Sequence, residues 1–164
     1  MKTNSLTRLF TVILLIATLF ACKKDEYTIE DQAVSGTVNY TQTGFVPFEV
    51  DSATQQPLKA KITFEGSGTI SDLGQLNTVS NFTFDFILGK GTDFVITYTL
   101  AGSSDSFTAT GSSVMTENMK FTVTENFTGG TGKFEKIKGG GETKVALTPD
   151  GTSGTGSVNW TVTY

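Results

Sequence analysis

The chain has no histidine and a single cysteine, Cys22. These two shortages remove the Ser-His-Asp triad, the Cys-His pair, the histidine general base and the His-coordinated zinc site together. One cysteine cannot form an intramolecular disulfide. Charge is also scarce, at 17% of residues. Setting aside Lys2 and Arg8 of the N-terminal segment leaves ten basic side chains against sixteen acidic ones, a formal charge of −6. Such a surface does not attract phosphate backbones, so a nucleic-acid partner is not expected. No window beyond the first 21 residues spaces its apolar side chains as an amphipathic helix would. No catalytic residue, cofactor site or metal ligand is expected from this inventory, and the reading is of a protein that is not an enzyme.

What the chain does have is two-residue alternation. Lys59 to Glu65 places Ala60, Ile62 and Phe64 on one face and Lys59, Lys61, Thr63 and Glu65 on the other, the pattern of a half-buried strand. The period recurs in Phe82, Phe84, Phe86; in Phe94, Ile96, Tyr98, Leu100; in Met119, Phe121, Val123; and in Val158, Trp160, Val162, Tyr164. Turn residues cluster between these runs at Gly66-Ser67-Gly68, Gly89-Lys90-Gly91, Gly102 to Asp105, Gly129-Gly130 and Pro149-Asp150-Gly151. About eight strands, with 29 threonines suited to exposed pleated faces, predict a single all-β domain. Closure into an antiparallel barrel hides the edges that an open sheet would leave bare. A β-sandwich is the alternative.

The N-terminus reads as an address. Lys2 and Arg8 precede an apolar run from Leu9 to Ala21, too short to span a bilayer, which takes roughly 20 residues. Leu19-Phe20-Ala21-Cys22 resembles the lipobox of bacterial lipoproteins, in which the cysteine is acylated and becomes the new N-terminus. Residues 1–21 are therefore expected to be a signal peptide and Cys22 the lipidation site. Residues 22–34 are expected to form a flexible tether, and residues 35–164 the barrel. The acidic run Lys23 to Asp31 resembles the surface-export tether of Bacteroidetes-type lipoproteins. The run reads equally as a plain solvated linker. These resemblances imply the bacterial envelope, an outer-membrane lipoprotein whose domain is on either the periplasmic or the outer face, and the membrane as a partner through Cys22.

A further resemblance covers Ala60 to Tyr164. Gly68-Thr69-Ile70-Ser71-Asp72-Leu73-Gly74 is similar to the turn that leads into a threonine-rich strand in small bacterial barrels of the allene oxide cyclase/dirigent-like type. Gly129-Gly130-Thr131-Gly132-Lys133-Phe134, then Gly139-Gly140-Gly141, then Gly154-Thr155-Gly156 follow in that family's order. The chain departs from the pattern in two places. Asp72 stands where relatives commonly have histidine, and Glu135 to Lys138 replace an Ala-Gly-Ala stretch. The resemblance implies an eight-stranded barrel that can hold one apolar small molecule, but no role resting on the missing imidazole carries over.

The residues add their own expectations. Gly129, Gly130 and Gly132 permit a sharp bend at a barrel rim, with Phe134 turned inward to cap one end of the core. The same stretch lacks the spacing of a phosphate-binding loop. Thirteen phenylalanines favour an interior filled by its own side chains over a functional cavity. Glu125 shares the parity of Phe121 and Val123, and Tyr98 lies between Ile96 and Leu100. The simplest reading puts Glu125 at the strand's rim in water, because a buried carboxylate is costly. Asp150 to Gly154 is read as a type I′ hairpin turn rather than a calcium loop. Tyr40, Phe45, Phe48 and Trp160 are the aromatics a glycan-stacking surface would use, although the phase of Trp160 points to the core. The functional expectation is a lipid-anchored barrel holding an apolar small molecule. The alternatives are a surface interaction or glycan-binding protein, and an isomerase or cyclase that works by confinement.

Overall fold

A computed structural model describes residues 29–164. The expected signal peptide, Cys22 and residues 23–28 of the expected tether lie outside them. The described residues form eight strands: β1 (Gln32–Val50), β2 (Pro57–Ile70), β3 (Gly74–Asp85), β4 (Lys90–Leu100), β5 (Ser106–Glu117), β6 (Lys120–Gly130), β7 (Lys138–Leu147) and β8 (Ser153–Thr163). Each pairs antiparallel with the next, and β1 pairs with β8 from Gln32↔Val162 to Thr41↔Ser153, so the sheet is a closed barrel. Every strand in it therefore has two hydrogen-bonded neighbours, although from Gly44 to Val50 β1 runs on beyond β8 and pairs with β2 alone.

Alternation carries through as the sequence leads one to expect. Ala60, Ile62 and Phe64 are buried on β2, Phe94, Ile96 and Tyr98 on β4, and Val158, Trp160 and Val162 on β8. Where the pattern misled, a local cause is visible. Gly66-Ser67-Gly68 is no turn but the middle of β2, where Gly66 pairs with Tyr40. Met119 sits in the β5–β6 turn with φ +57, and Phe86 lies just past the end of β3, so each marks the end of its run. Val34 is buried and β1 opens at Gln32, so the last three residues expected in the tether belong to the barrel. Ile29 and Tyr164 exchange backbone hydrogen bonds of 2.8 and 2.9 Å just outside that strand pair.

The turn at Asp150 differs from the expected type I′. Five residues, 148–152, join β7 to β8, and Gly151 N–H donates to Thr148 O at 2.8 Å. Pro149 in the second position and Gly151 at φ +73 in the fourth suit a type I turn followed by a left-handed residue. The Asp150 carboxylate is used within the turn, accepting from the hydroxyls of Thr148 at 2.6 Å and Thr152 at 2.9 Å.

The two ends of the barrel are unlike. At one end the chain folds inward: Leu73 in the β2–β3 turn, Phe134 in a short 3-10 helix (Gly132–Phe134) and Ile137 beyond it are all buried. Phe134 packs on Phe107 at 5.0 Å and Tyr164 at 5.6 Å, forming the inward cap expected of it. Lys133 ties this plug down, donating to Leu73 O at 3.0 Å with its ammonium 4.7 Å from the Phe134 ring centre. Above the plug, Tyr98, Phe107, Phe127 and Trp160 interlock at ring separations of 4.8 to 6.3 Å. Each fully buried side chain of this size contributes roughly 1.5–3 kcal/mol. The opposite end is left open.

Candidate functional site

The open end leads into a cavity of about 280 Å³. An interior filled throughout by its own side chains, the favoured expectation, therefore holds for the plugged half only. The cause lies in the inward positions above the aromatic layer, where Ser80 on β3, Ser113 on β5 and Thr143 on β7 are buried but small. Phenylalanines form walls around this space without filling it. Phe82 stacks on Phe94 at 4.3 Å and on Phe64 at 6.2 Å, while Phe84 meets Phe121 edge-on at 5.7 Å. Offset and edge-on contacts of this kind fix ring positions as well as burying area.

The floor is polar. Glu125 is 2% exposed, in the interior rather than at the strand's rim where it was expected. β6 runs on through Phe127 to Gly130, so position 125 is mid-strand and its side chain shares the inward face with Val123. Tyr98 donates to Glu125 Oε2 at 2.5 Å and Thr143 donates to Oε1 at 2.5 Å. Tyr98 is on β4 and Glu125 on β6. On β5, the strand between them, Phe107 stands opposite Tyr98 and stacks on its ring, while Gly111 stands opposite Glu125 with the small Ala109 and Ser113 on either side, so the phenol can reach the carboxyl over them.

Burial pushes the Glu125 carboxyl above the ordinary carboxylate range, while the hydroxyls of Thr143 and Tyr98 and the Trp160 indole N–H pull it partway back. The Trp160 N–H stands close enough to be felt but does not meet hydrogen-bond geometry with any acceptor. Burial, and then the nearby carboxylate, hold the phenols of Tyr98 and Tyr40 well above their usual value. Both phenols are therefore neutral donors at any physiological pH.

Tyr40 was only an unassigned aromatic in the sequence, and the structure puts it in the cavity wall. Its ring lies between two glycines on the flanking strands. A Cβ at Gly66 would come within 2.9 Å of its Cδ1, and one at Gly156 within 2.8 Å of its Cε2. Thr143 was also missed, although Thr143, Val145 and Leu147 repeat the two-residue period on β7. Trp160 is in the core, as its phase indicated. Phe45 is exposed at the mouth beside Phe86, their ring centres 6.2 Å apart, and Phe48 is exposed further along the same end of β1. The β3–β4 turn adds Ile87 and Leu88, 74% and 65% exposed, to this end of the barrel.

Among the described residues no three His, Cys, Asp or Glu side chains gather as metal ligands would. No protein-family model matches the chain, and no curated protein matches its sequence. The geometry alone thus describes a cup with aromatic walls, one mouth and a single buried carboxyl at its base.

Proposed function

We propose that this protein is a lipid-anchored barrel of the bacterial envelope whose cavity binds an apolar small molecule. One observation carries the reading: a roughly 280 Å³ space, walled by phenylalanine rings and open at one end only, inside an otherwise closed and plugged barrel. An apolar ligand that enters takes its own surface and that of the walls out of water, and a few placed polar groups fix its orientation, the usual design of a small-molecule site. Eight strands suit one small ligand. The likeness to allene oxide cyclase/dirigent-like barrels supports the same reading, since those barrels hold hydrophobic molecules. In this proposal Cys22 is acylated and the tether holds the barrel at the outer membrane. The tether joins at the plugged end, where β1 begins, which leaves the mouth at the far end.

A second reading, an isomerase or cyclase acting by confinement, draws support from the convergence of Glu125, Tyr98 and Thr143 at the cavity floor. A carboxyl pushed upward by burial and linked to a phenol can hold or pass a proton next to a bound molecule. Catalysis remains the secondary reading because one carboxyl with two hydroxyls serves binding equally well.

Native mass spectrometry of residues 22–164 carrying Cys22→Ser, after exposure to an extract of the host, tests both. A small-molecule adduct present on the wild-type barrel and lost from a folded Ser80→Phe variant, whose new ring would occupy the cavity, supports binding. A bound molecule that, released and separated by chromatography after incubation, has become an isomer with the wild-type barrel but not with Glu125→Gln supports the second reading. A bare mass under gentle conditions would sink the binding proposal.

A further inference from the structure

The charge of the cavity says more about its occupant than its shape does. Two carboxylates border it, Glu125 at the floor and Asp150 at the mouth, and no lysine or arginine does. The ion pairs among the described residues, Lys59 with Glu49 and Lys120 with Glu117, are on the outside. Glu125 is thus buried with hydrogen-bond donors but without a counter-ion, so in the empty cavity a proton relieves the cost of its charge, and a bound cation could do so in the proton's place.

Of the four acceptor sites on the Glu125 carboxylate, Tyr98 and Thr143 each take one and the Trp160 N–H lies near a third. Capacity for a further N–H donor therefore remains at the floor. The surrounding walls are aromatic, with Phe82, Phe94 and the two tyrosines lining the same space. The faces of such rings attract cations. A ligand carboxylate would meet the opposite conditions, a like charge at close range in a low dielectric.

We infer that the occupant is a small apolar ammonium ion, its N–H groups donating to Glu125 and its hydrocarbon or aromatic body packed among the phenylalanines. This inference rests on the binding reading and specifies its ligand class. At about 280 Å³ the cavity falls at the small end of ligand sites, which run from roughly 300 to 1,000 Å³. The ligand is therefore a short-chain or single-ring amine rather than a long acyl chain.

Three probes that differ only in their polar end test this: 4-phenylbutylamine, 4-phenylbutanol and 4-phenylbutyrate. They are titrated into residues 22–164 with Cys22→Ser, binding being read by calorimetry and by the fluorescence of Trp160, the chain's one tryptophan, which packs against Tyr98 at 5.1 Å. The amine is expected to bind at least tenfold more tightly than the alcohol, and the carboxylate most weakly. In Glu125→Gln the amine should lose its advantage over the alcohol. An alcohol or carboxylate that binds as well as the amine overturns the inference while leaving the binding proposal standing. Failure of all three overturns both. Amine preference that survives Glu125→Gln but disappears in Asp150→Asn would overturn the assignment to the floor. The order of the three probes on the wild-type barrel decides the matter even where Glu125→Gln does not fold.

Discussion

Gly156 lies directly against the ring of Tyr40, with no room between them for a methyl group. The site of a Cβ at position 156 is 2.8 Å from Tyr40 Cε2 and 3.0 Å from Thr143 Cγ2. The glycine on β8 thus decides how far into the cavity the phenol of β1 stands. Gly156→Ala should push Tyr40 inward, destabilise the barrel by about 1–3 kcal/mol as overpacking does, and weaken binding of any cavity probe. Chemical denaturation and probe titration of the same variant check the two effects. A folded variant with unchanged probe affinity would show that the Tyr40 ring does not bound the ligand.

The buried carboxyl makes stability depend on pH with a definite sign. The folded state raises Glu125 above its ordinary value of 4.5. Its contribution is therefore whole in acid, where folded and unfolded chains both hold the proton, and is lost as pH rises through the folded value. Exposed Asp51, Glu117 and Asp150 are held low by hydrogen bonds, so they act in the opposite sense and lose their contribution as pH falls. Glu125→Gln removes only the first effect. The groups facing Glu125 are the phenols of Tyr98 and Tyr40 and the hydroxyl of Thr143, none of which titrates in this range. The melting temperature of Glu125→Gln minus that of the wild type should grow as pH rises above the ordinary carboxylate value of 4.5. A difference that stays flat across thermal melts would mean that Glu125 titrates in the folded barrel as it does in the unfolded chain.

Removing the plug should cost more than altering it. Phe134→Ala empties a fully buried position that packs on Phe107 and Tyr164, and a loss of about 3–5 kcal/mol is expected. Phe134→Leu keeps most of the volume and should lose under about 1.5 kcal/mol. Urea unfolding monitored by circular dichroism gives both values. Equal losses would show that Phe134 acts through its specific ring contacts and not through filling space.

The proposed lipidation of Cys22 predicts where the protein is found. Cys22→Ser, expressed in the native host, should shift the barrel from the membrane fraction to the soluble envelope fraction. Continued sedimentation of that variant with membranes would point to another anchor, for which the exposed Ile87 and Leu88 at the mouth are the nearest apolar surface.

Much of this architecture was legible because a strand in a barrel has one inside and one outside. Ala60, Ile62 and Phe64 declare their face by alternation alone, and hairpins in chain order leave closure as the way to cover both edges. Depth was harder to read. Parity indicated that Glu125 faces inward, yet whether it stood at a rim or at mid-strand depended on β6 continuing through Phe127, which Asn126 and the glycines beyond obscure. The cavity was hidden for a related reason. Thirteen phenylalanines suggest a full interior, but the space depends on which small residues stand opposite them, such as Ser80, Ser113 and Thr143, and that is set by register between strands. Gly66 looked like a turn because its real partner, the Tyr40 ring, is 26 positions away in sequence.

Barrel closure has a consequence for how the molecule is made. Seven of its eight strand pairings join neighbours in the chain and can form as local hairpins, whereas β1 must wait for β8, across more than a hundred residues. Non-local pairings of this kind form slowly because so much chain entropy must be lost first. Until the last strand, Ser153–Thr163, emerges from the ribosome, the chain is a curled ribbon with β1 and β7 exposed along its sides. Those sides are templates for pairing with other chains. A nascent or C-terminally clipped copy is therefore the form that would need a chaperone's cover in transit, and the arrival of the final strand ends that need.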